Sequence, residues 1–410
     1  MKFNKWTIGL ASLGLVSLSS AARAADQVNM VQTALASTMI SGYVDTSAQW
    51  NLGTGNDRLP DYKFGGASKA DGFNLNVIQL RIEKPLDEQE WAAGYRVDLW
   101  AGPDANTLGT QSVSHEIGTS SDFAVRQAYV ALRMPVGNGI DWKIGVFDSI
   151  VGYESVESPS NPNYTRSYGH SIEPQTHTGF LVSYRFTDMI AVSAGIANTK
   201  GPSINARAFG EDGKAESSKT YMASISVSAP DNVGFLSGST VYGGVVSGLD
   251  ENENRSDYDS NSRSWYAGAT LATPVAGLRL GGAFDFLDVS DTRGETWSLA
   301  GYASFQATEK LSLHGRAEYL RDRGDQKFFA ATVVDPTDPT STVAIKTNPD
   351  RVLALTATAQ YDLWKNVISR LELRWDHSLT GEGVWGTAGA NGMGTLRNEV
   401  MLAANLIYKF

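Results

Sequence analysis

The 410-residue chain contains no cysteine. That excludes disulfides, thiol catalysis and cysteine-based metal sites. It also excludes a lipoprotein anchor, which is attached through a cysteine at the cleavage point. Beyond residue 24 the chain has no unbroken apolar run approaching the ~18 residues that a membrane-spanning helix requires. Basic residues are the minority, 34 against 44 acidic. None gather into a basic helix or stripe, which argues against nucleic acid as a partner. Enzyme signatures are missing too: there is no Gly-rich phosphate loop and no nucleophile elbow.

The first residues carry an address. Lys2 and Lys5 precede the apolar run Trp6 to Val16, and the small-residue site Ala22-Arg23-Ala24 follows. This is the layout of a secretory signal peptide, residues 1–24, with a short leader over 25–38 and one domain over 39–410. An exported chain without apolar helices is either soluble or crosses a membrane as a closed barrel, since helices and barrels are the only spanning solutions.

The last residues favour the barrel. Val400, Leu402, Ala404, Leu406, Tyr408 and Phe410 fall on one face of an extended strand. Glu399, Met401, Ala403, Asn405 and Lys409 fall on the other, with Ile407 the exception. Side chains alternate faces along a strand, so one face is apolar and one polar. The pattern recurs in about sixteen segments, each long enough at roughly 9–11 residues to tilt across a bilayer. They lie near 39–50, 73–84, 90–100, 123–134, 140–150, 176–186, 189–198, 219–229, 238–248, 264–273, 277–287, 296–306, 310–320, 351–361, 366–377 and 398–410. In 73–84 the apolar parity switches between Val77 and Ile78, which predicts a β-bulge near Val77.

Connections alternate between short turns, such as Pro135 to Gly139, and long loops, such as 51–72, 101–122, 151–175 and 321–350. That predicts an all-β fold, a transmembrane antiparallel meander β-barrel of about sixteen strands with short periplasmic turns and long extracellular loops. The 41 glycines and 10 tryptophans suit turns and interfacial belts. Trp91, Trp142 and Trp364 are expected near the short-turn side, and Trp50, Trp265, Trp297 and Trp375 near the long-loop side.

A barrel of that size leaves an aqueous channel, and charges lining it would set selectivity. Predicted pore-lining residues include Arg81, Arg96, Asp98, Arg133, Lys143, Arg185, Arg316, Glu318, Arg370, Glu372 and Arg374. The signs nearly balance, so a paired wall that fixes barrel shape is as good a reading as a selectivity filter. His314 and His377 are also read as lumen lining. The third long loop, 151–175, is rich in aromatics, prolines and hydrogen-bonding groups, which suits an ordered constriction. Its candidate residues are Tyr164, Arg166, His170 and Glu173. His170, Glu173 and His177 match no helical zinc motif. No cofactor or metal is expected.

This loop, with Ile40 to Asp45, Arg126 to Val130 and Lys143 to Asp148, resembles the signature of the putative β-barrel porin-2 (OmpL-like) family. The resemblance covers the mature chain and implies a diffusion channel in a Gram-negative-type outer membrane, not an enzyme. The C-terminal Phe410 resembles the signal read by the barrel-assembly machinery. The expected partners are outer-membrane lipid, that machinery, small hydrophilic solutes and other copies in a homo-oligomer. The competing reading is a structural or adhesive barrel with a blocked lumen. Acidic loop residues Asp250, Glu251, Glu253, Asp257 and Asp259 predict a mild cation preference.

Overall fold

The computed structural model describes residues 31–32, 37–53, 55–87, 90–110, 121–208, 218–249, 261–289, 294–323, 328, 330–335, 338–346, 351–388 and 394–410. The expected signal peptide, most of the leader and the acidic segment 250–259 lie outside them.

Sixteen strands form one closed antiparallel meander. They are β1 (Met39–Leu52), β2 (Gly72–Lys84), β3 (Ala92–Ala101), β4 (Phe123–Met134), β5 (Ile140–Asp148), β6 (Thr176–Arg185), β7 (Ile190–Ala197) and β8 (Thr220–Ser228). The second half comprises β9 (Thr240–Leu249), β10 (Asn261–Ala272), β11 (Leu278–Val289), β12 (Gly294–Gln306), β13 (Leu311–Asp322), β14 (Arg351–Trp364), β15 (Val367–Ser378) and β16 (Asn398–Lys409). Each pairs with its neighbours in sequence, and β16 pairs with β1 from Tyr43↔Lys409 to Leu52↔Val400. Closure leaves no open edge in hydrocarbon, where an unpaired backbone group is costly. Past the end of β16, residues Val31–Gln32 take up pairing with β1 at Ile40 and Met39.

The alternation seen in the sequence sets the two faces. On β15, Leu371 and Leu373 are exposed outward, whereas Arg370, Glu372 and Arg374 are buried inside. On β16, Leu406 and Tyr408 face out, while Met401, Ala403, Asn405 and Ile407 face in. Ile407 breaks the polar inner pattern because it joins an interior apolar cluster with Tyr43, Val77 and Ile368. Trp91 and Trp364 at the short-turn end and Trp50 and Trp265 at the long-loop end are exposed outward, as rings in two interfacial belts should be. Phe410 exchanges backbone hydrogen bonds with Gly42 of β1, at 2.9 and 3.0 Å. Its ring lies where a Gly42 side chain would be, so glycine is required there.

Register shifts interrupt three of the described barrel pairs, one of them between Asp362 and Trp364 at the short-turn end of β14, and the other two bear on the site. Asp45 pairs with Val77 and Thr46 with Leu75, leaving Asn76 as the extra residue beside the expected position. The second was not foreseen. Asp98 pairs with Gln127 and Leu99 with Val125, so Arg126 is the extra residue and turns inward. One parity assignment is corrected. His377 stacks on Trp375 and shares the Asn398 oxygen with it, on the outer wall rather than in the lumen. His314 does face inward, with Nδ1 2.9 Å from Ser304 Oγ.

Candidate functional site

The connection between β5 and β6, residues 149–175, folds into the barrel instead of standing above it. Its first turn is apolar. Ile150 and Val151 pack with Met222 of β8, Val246 of β9 and Tyr266 of β10 in one buried cluster, and Tyr153 stacks on Tyr302 of β12 at 4.2 Å. Inward apolar residues on β8–β10 therefore receive the loop, since burying them against it removes apolar area from lumen water. A short helix, α1 (Tyr168–Ile172), follows, with Ser167 accepting from the His170 amide as N-cap.

The opposite wall holds the loop through charged side chains. Glu372 accepts from the Tyr164 and Thr165 amides at 2.6 and 2.9 Å and from the Thr165 and Thr358 hydroxyls at 2.6 and 2.7 Å. Arg316 donates to the Thr165 carbonyl at 2.7 Å and pairs with Glu154 at 2.9 Å and Glu318 at 3.0 Å. Glu318 in turn accepts from the Tyr168 amide. Arg374 donates to the Arg166 carbonyl at 2.8 Å, pairs with Asp376 at 2.9 Å and lies over the rings of Tyr62 and Tyr168. Arg370 donates to the Ser158 and Asn161 carbonyls at 3.1 and 2.6 Å. A coil segment satisfies few of its own backbone groups, so an inward-folded loop needs wall partners at this density. Hydrogen bonds to charged groups are the stronger kind.

A second cluster clasps the loop from β2–β4. One oxygen of Glu157 meets Arg81, Arg96 at 3.1 Å and Arg126 at 3.0 Å. Behind it the buried Asp98 accepts from the same three arginines, at 2.9 Å from Arg81 and 2.7 Å from each of the other two. Burial pushes the Glu157 carboxyl up, but the guanidiniums of Arg81, Arg126 and Arg96 outweigh it and hold it below its ordinary range. Glu157 is therefore an anion at neutral pH. Burial likewise opposes ionisation of Glu154, and Arg316 overrides it.

Where the loop meets β11 the chemistry changes. The carboxyl groups of Glu173 and Asp285 come together there. Burial, then the Asp285 charge, pushes Glu173 well above its ordinary value. His170 Nδ1 lies 3.3 Å from Glu173, yet this is no ion pair, because burial pushes the imidazole down to about 3.

All four candidate loop residues thus sit inside the barrel. Arg166 and His170 are almost fully buried between loop and wall, the Glu173 side chain is buried too, and Tyr164 is partly exposed. Of the predicted lining charges, Arg316, Glu318, Arg370, Glu372 and Arg374 face inward but lie beneath the loop. Arg81 and Arg96 keep part of their surface open. Arg133 pairs with Asp141 at 2.6 Å, Lys143 lies over Tyr129 at 4.7 Å, and Arg185 ends β6 at the short-turn rim. His177 is on β6, with Nε2 3.2 Å from Ser149. The loop's partly exposed face carries Ser155, Glu157, Pro159, Ser160 and Pro162.

Sequence reasoning missed two contributors. Arg126 was hidden by the bulge that carries it inward. The first loop, between β1 and β2, also enters. Tyr62 bonds to Met401, Phe64 packs on Trp100, and the Lys63 amide donates to Ser171 at 2.8 Å. Loop residues have no periodicity, so only the isolated aromatics hinted at this.

The family model described as "Putative beta-barrel porin-2, OmpL-like" matches residues 37–410. None of the curated proteins compared with the chain matches it in sequence. Among solved structures, the chain is similar to an anion-selective porin from Comamonas acidovorans, with TM-score 0.59 and 11% identity over 91% of this chain and 99% of that one. It is also similar to the outer membrane channel DcaP of Acinetobacter baumannii, with TM-score 0.53 and 9% identity over 92% and 99%. A third is Salmonella typhi OmpF in complex with daunomycin, with TM-score 0.54 and 13% identity over 91% and 97%. At these identities the likeness is one of fold.

Proposed function

The chain belongs to the "Putative beta-barrel porin-2, OmpL-like" family, and from that premise we propose that the inward loop 149–175 is the constriction of its channel. As a porin it forms a channel through the outer membrane for passive diffusion of solutes. Small hydrophilic solutes and ions pass along the loop's exposed face, beside the Glu157 clasp, where Arg81 and Arg96 keep water-accessible surface. The observation that carries this reading is the anchoring of the loop on both sides of the lumen, by Glu372, Arg316, Arg370 and Arg374 on one and by the Glu157 clasp on the other. A tether at both ends fixes the width of the gap.

Several buried wall charges therefore act as loop anchors. They do not meet the solute. Selectivity falls to the charged groups that keep open surface, among them Arg81, Arg96, Glu83, Asp148 and Glu157, whose signs nearly balance. A preference for either ion sign is accordingly mild. Residues 1–24 serve export, Phe410 engages the assembly machinery, and copies associate as a homo-oligomer in lipid.

The lack of native cysteine makes the test clean. In Ser160→Cys, an anionic methanethiosulfonate reagent should lower single-channel conductance. In Ser369→Cys, whose hydroxyl bonds the Tyr361 carbonyl at an exposed position, the same reagent should leave it unchanged. Equal effects, or none at Ser160, would remove the loop from the path.

A further inference from the structure

The outer wall of β11–β15 carries an apolar groove of about 670 Å³, walled by Leu280, Leu355, Leu373 and Trp375. Its floor is made of small residues brought level by register. Gly301 pairs with Ala317 and Ala303 with Gly315 across β12–β13, and Gly315 pairs with Ala357 of β14. Nothing inside the barrel asks for these glycines. A Cβ built on Gly301 or Gly315 meets no atom within 4 Å, whereas one on Gly145 or Gly179 would run into the backbone of the neighbouring strand. Glycine in a strand interior weakens the strand and often marks a place where something approaches closely. Here the space lies outside, on the face turned to the membrane.

Charge says what fills it. Arg321 and Arg351 stand directly opposite each other on β13 and β14. They share the outward parity of Ala317 and Leu355, at the long-loop end, four residues or about 13 Å along the strand from the groove. Trp297 pairs with Arg321 and packs on Tyr319 at 5.2 Å, which places the arginines at the interfacial belt. The Arg321 Nε is buried and has no hydrogen-bond partner. Of the acids near this rim, Asp288 is paired with Arg263 at 3.5 Å, and Glu295 stands opposite Asp288, two residues beyond Trp297.

Two adjacent guanidiniums at headgroup level over an apolar groove match one chemistry, a phosphate with an acyl chain below it. A second copy of the chain fits less well, since a protein interface here would bury two like charges side by side.

We propose that this wall binds a phosphate-bearing, multiply acylated glycolipid of the outer leaflet, with a phosphate on Arg321 and Arg351 and one acyl chain in the groove over Gly301 and Gly315. The site lies on the lipid face, separate from the channel.

Native mass spectrometry of the mature full-length protein, titrated with bisphosphorylated lipid A, tests this. One lipid should be retained per chain. Lipid A stripped of its phosphates should bind at least tenfold more weakly. Arg321→Gln with Arg351→Gln, and separately Gly301→Leu with Gly315→Leu, should each lower retention at least tenfold. Folding is checked by the heat-modifiable shift of the barrel on gels. If the leucine variant does not fold, the arginine variant and the dephosphorylated lipid still decide. Equal retention of both lipids by the wild type, or undiminished retention by the arginine variant, overturns the proposal. Loss of oligomers in the leucine variant with lipid retention unchanged overturns it in favour of a subunit interface.

Discussion

Glu372→Ala should free the centre of the constriction loop while leaving the barrel intact. Glu372 is acceptor to four donors, three of them on the loop: the Tyr164 amide, the Thr165 amide and the Thr165 hydroxyl. Hydrogen bonds to a charged group are worth roughly 1.5–3 kcal/mol each. Lumen water entering the vacated space offsets part of the loss, so about 3–5 kcal/mol of anchoring is removed, the range for losing one partner of a buried charged contact. A loss of about 3 kcal/mol multiplies the undocked population roughly a hundredfold. The loop keeps its tethers at Arg370, Arg374 and the Glu157 clasp, so segment 163–165, left with Arg316 on the Thr165 carbonyl and Asn163 on the Thr358 hydroxyl, loosens while both arms stay. Planar-bilayer recordings should show more frequent transitions to a larger conductance and higher open-channel noise. Glu372→Gln, which keeps an acceptor oxygen but loses the charge, should fall between the variant and wild type. A folded Glu372→Ala protein with wild-type conductance and noise would refute the anchoring argument.

Three further outcomes follow from the same contacts. Glu173 lies against the Asp285 carboxyl in a buried site, with Glu154 and a neutral His170 nearby. Because its docked pKa is raised, docking binds more protons than release, and the loop's second arm loosens as pH climbs from the ordinary carboxyl range through the raised value. Conductance should therefore grow on the alkaline side, and Glu173→Gln, which keeps a donor at every pH, should flatten the response; an unchanged profile in that variant would exclude the pair as its source. Gly42→Val should slow closure of the barrel, since its side chain would occupy the place of the Phe410 ring; refolding in detergent followed by gel shift measures this, and a wild-type rate would contradict it. Arg126→Met should raise cation over anion permeability by removing one of three guanidiniums from Glu157, read as a change in reversal potential under a salt gradient.

The barrel was legible because a strand facing lipid on one side and water on the other must alternate. That rule placed all sixteen strands and the inward side of Arg370, Glu372 and Arg374. It failed where the backbone broke the alternation or the parity was misassigned. Arg126 sits at a bulge and appears outward by simple counting. His377 lies on the odd, lipid-facing side with Trp375 despite its polarity. The loop's order was suggested by its aromatics and prolines and its inward path by likeness to general porins, but its partners were not legible, because long-range contacts such as Tyr164 to Glu372 leave no local pattern. For the same reason Tyr62 and Phe64 of the first loop went unnoticed. The wall charges were placed on the lumen side, as a paired wall or a selectivity filter, because sequence shows which face a residue takes and cannot show what covers it.

The most direct test of a channel narrowed by its third loop is the single-channel conductance of the refolded mature protein beside a deletion of residues 158–173. The account predicts discrete steps in the wild type that grow when the loop is removed. Steps of unchanged size would contradict the constriction, and a folded, inserted barrel with no steps in either form would contradict the channel and leave a structural or adhesive barrel.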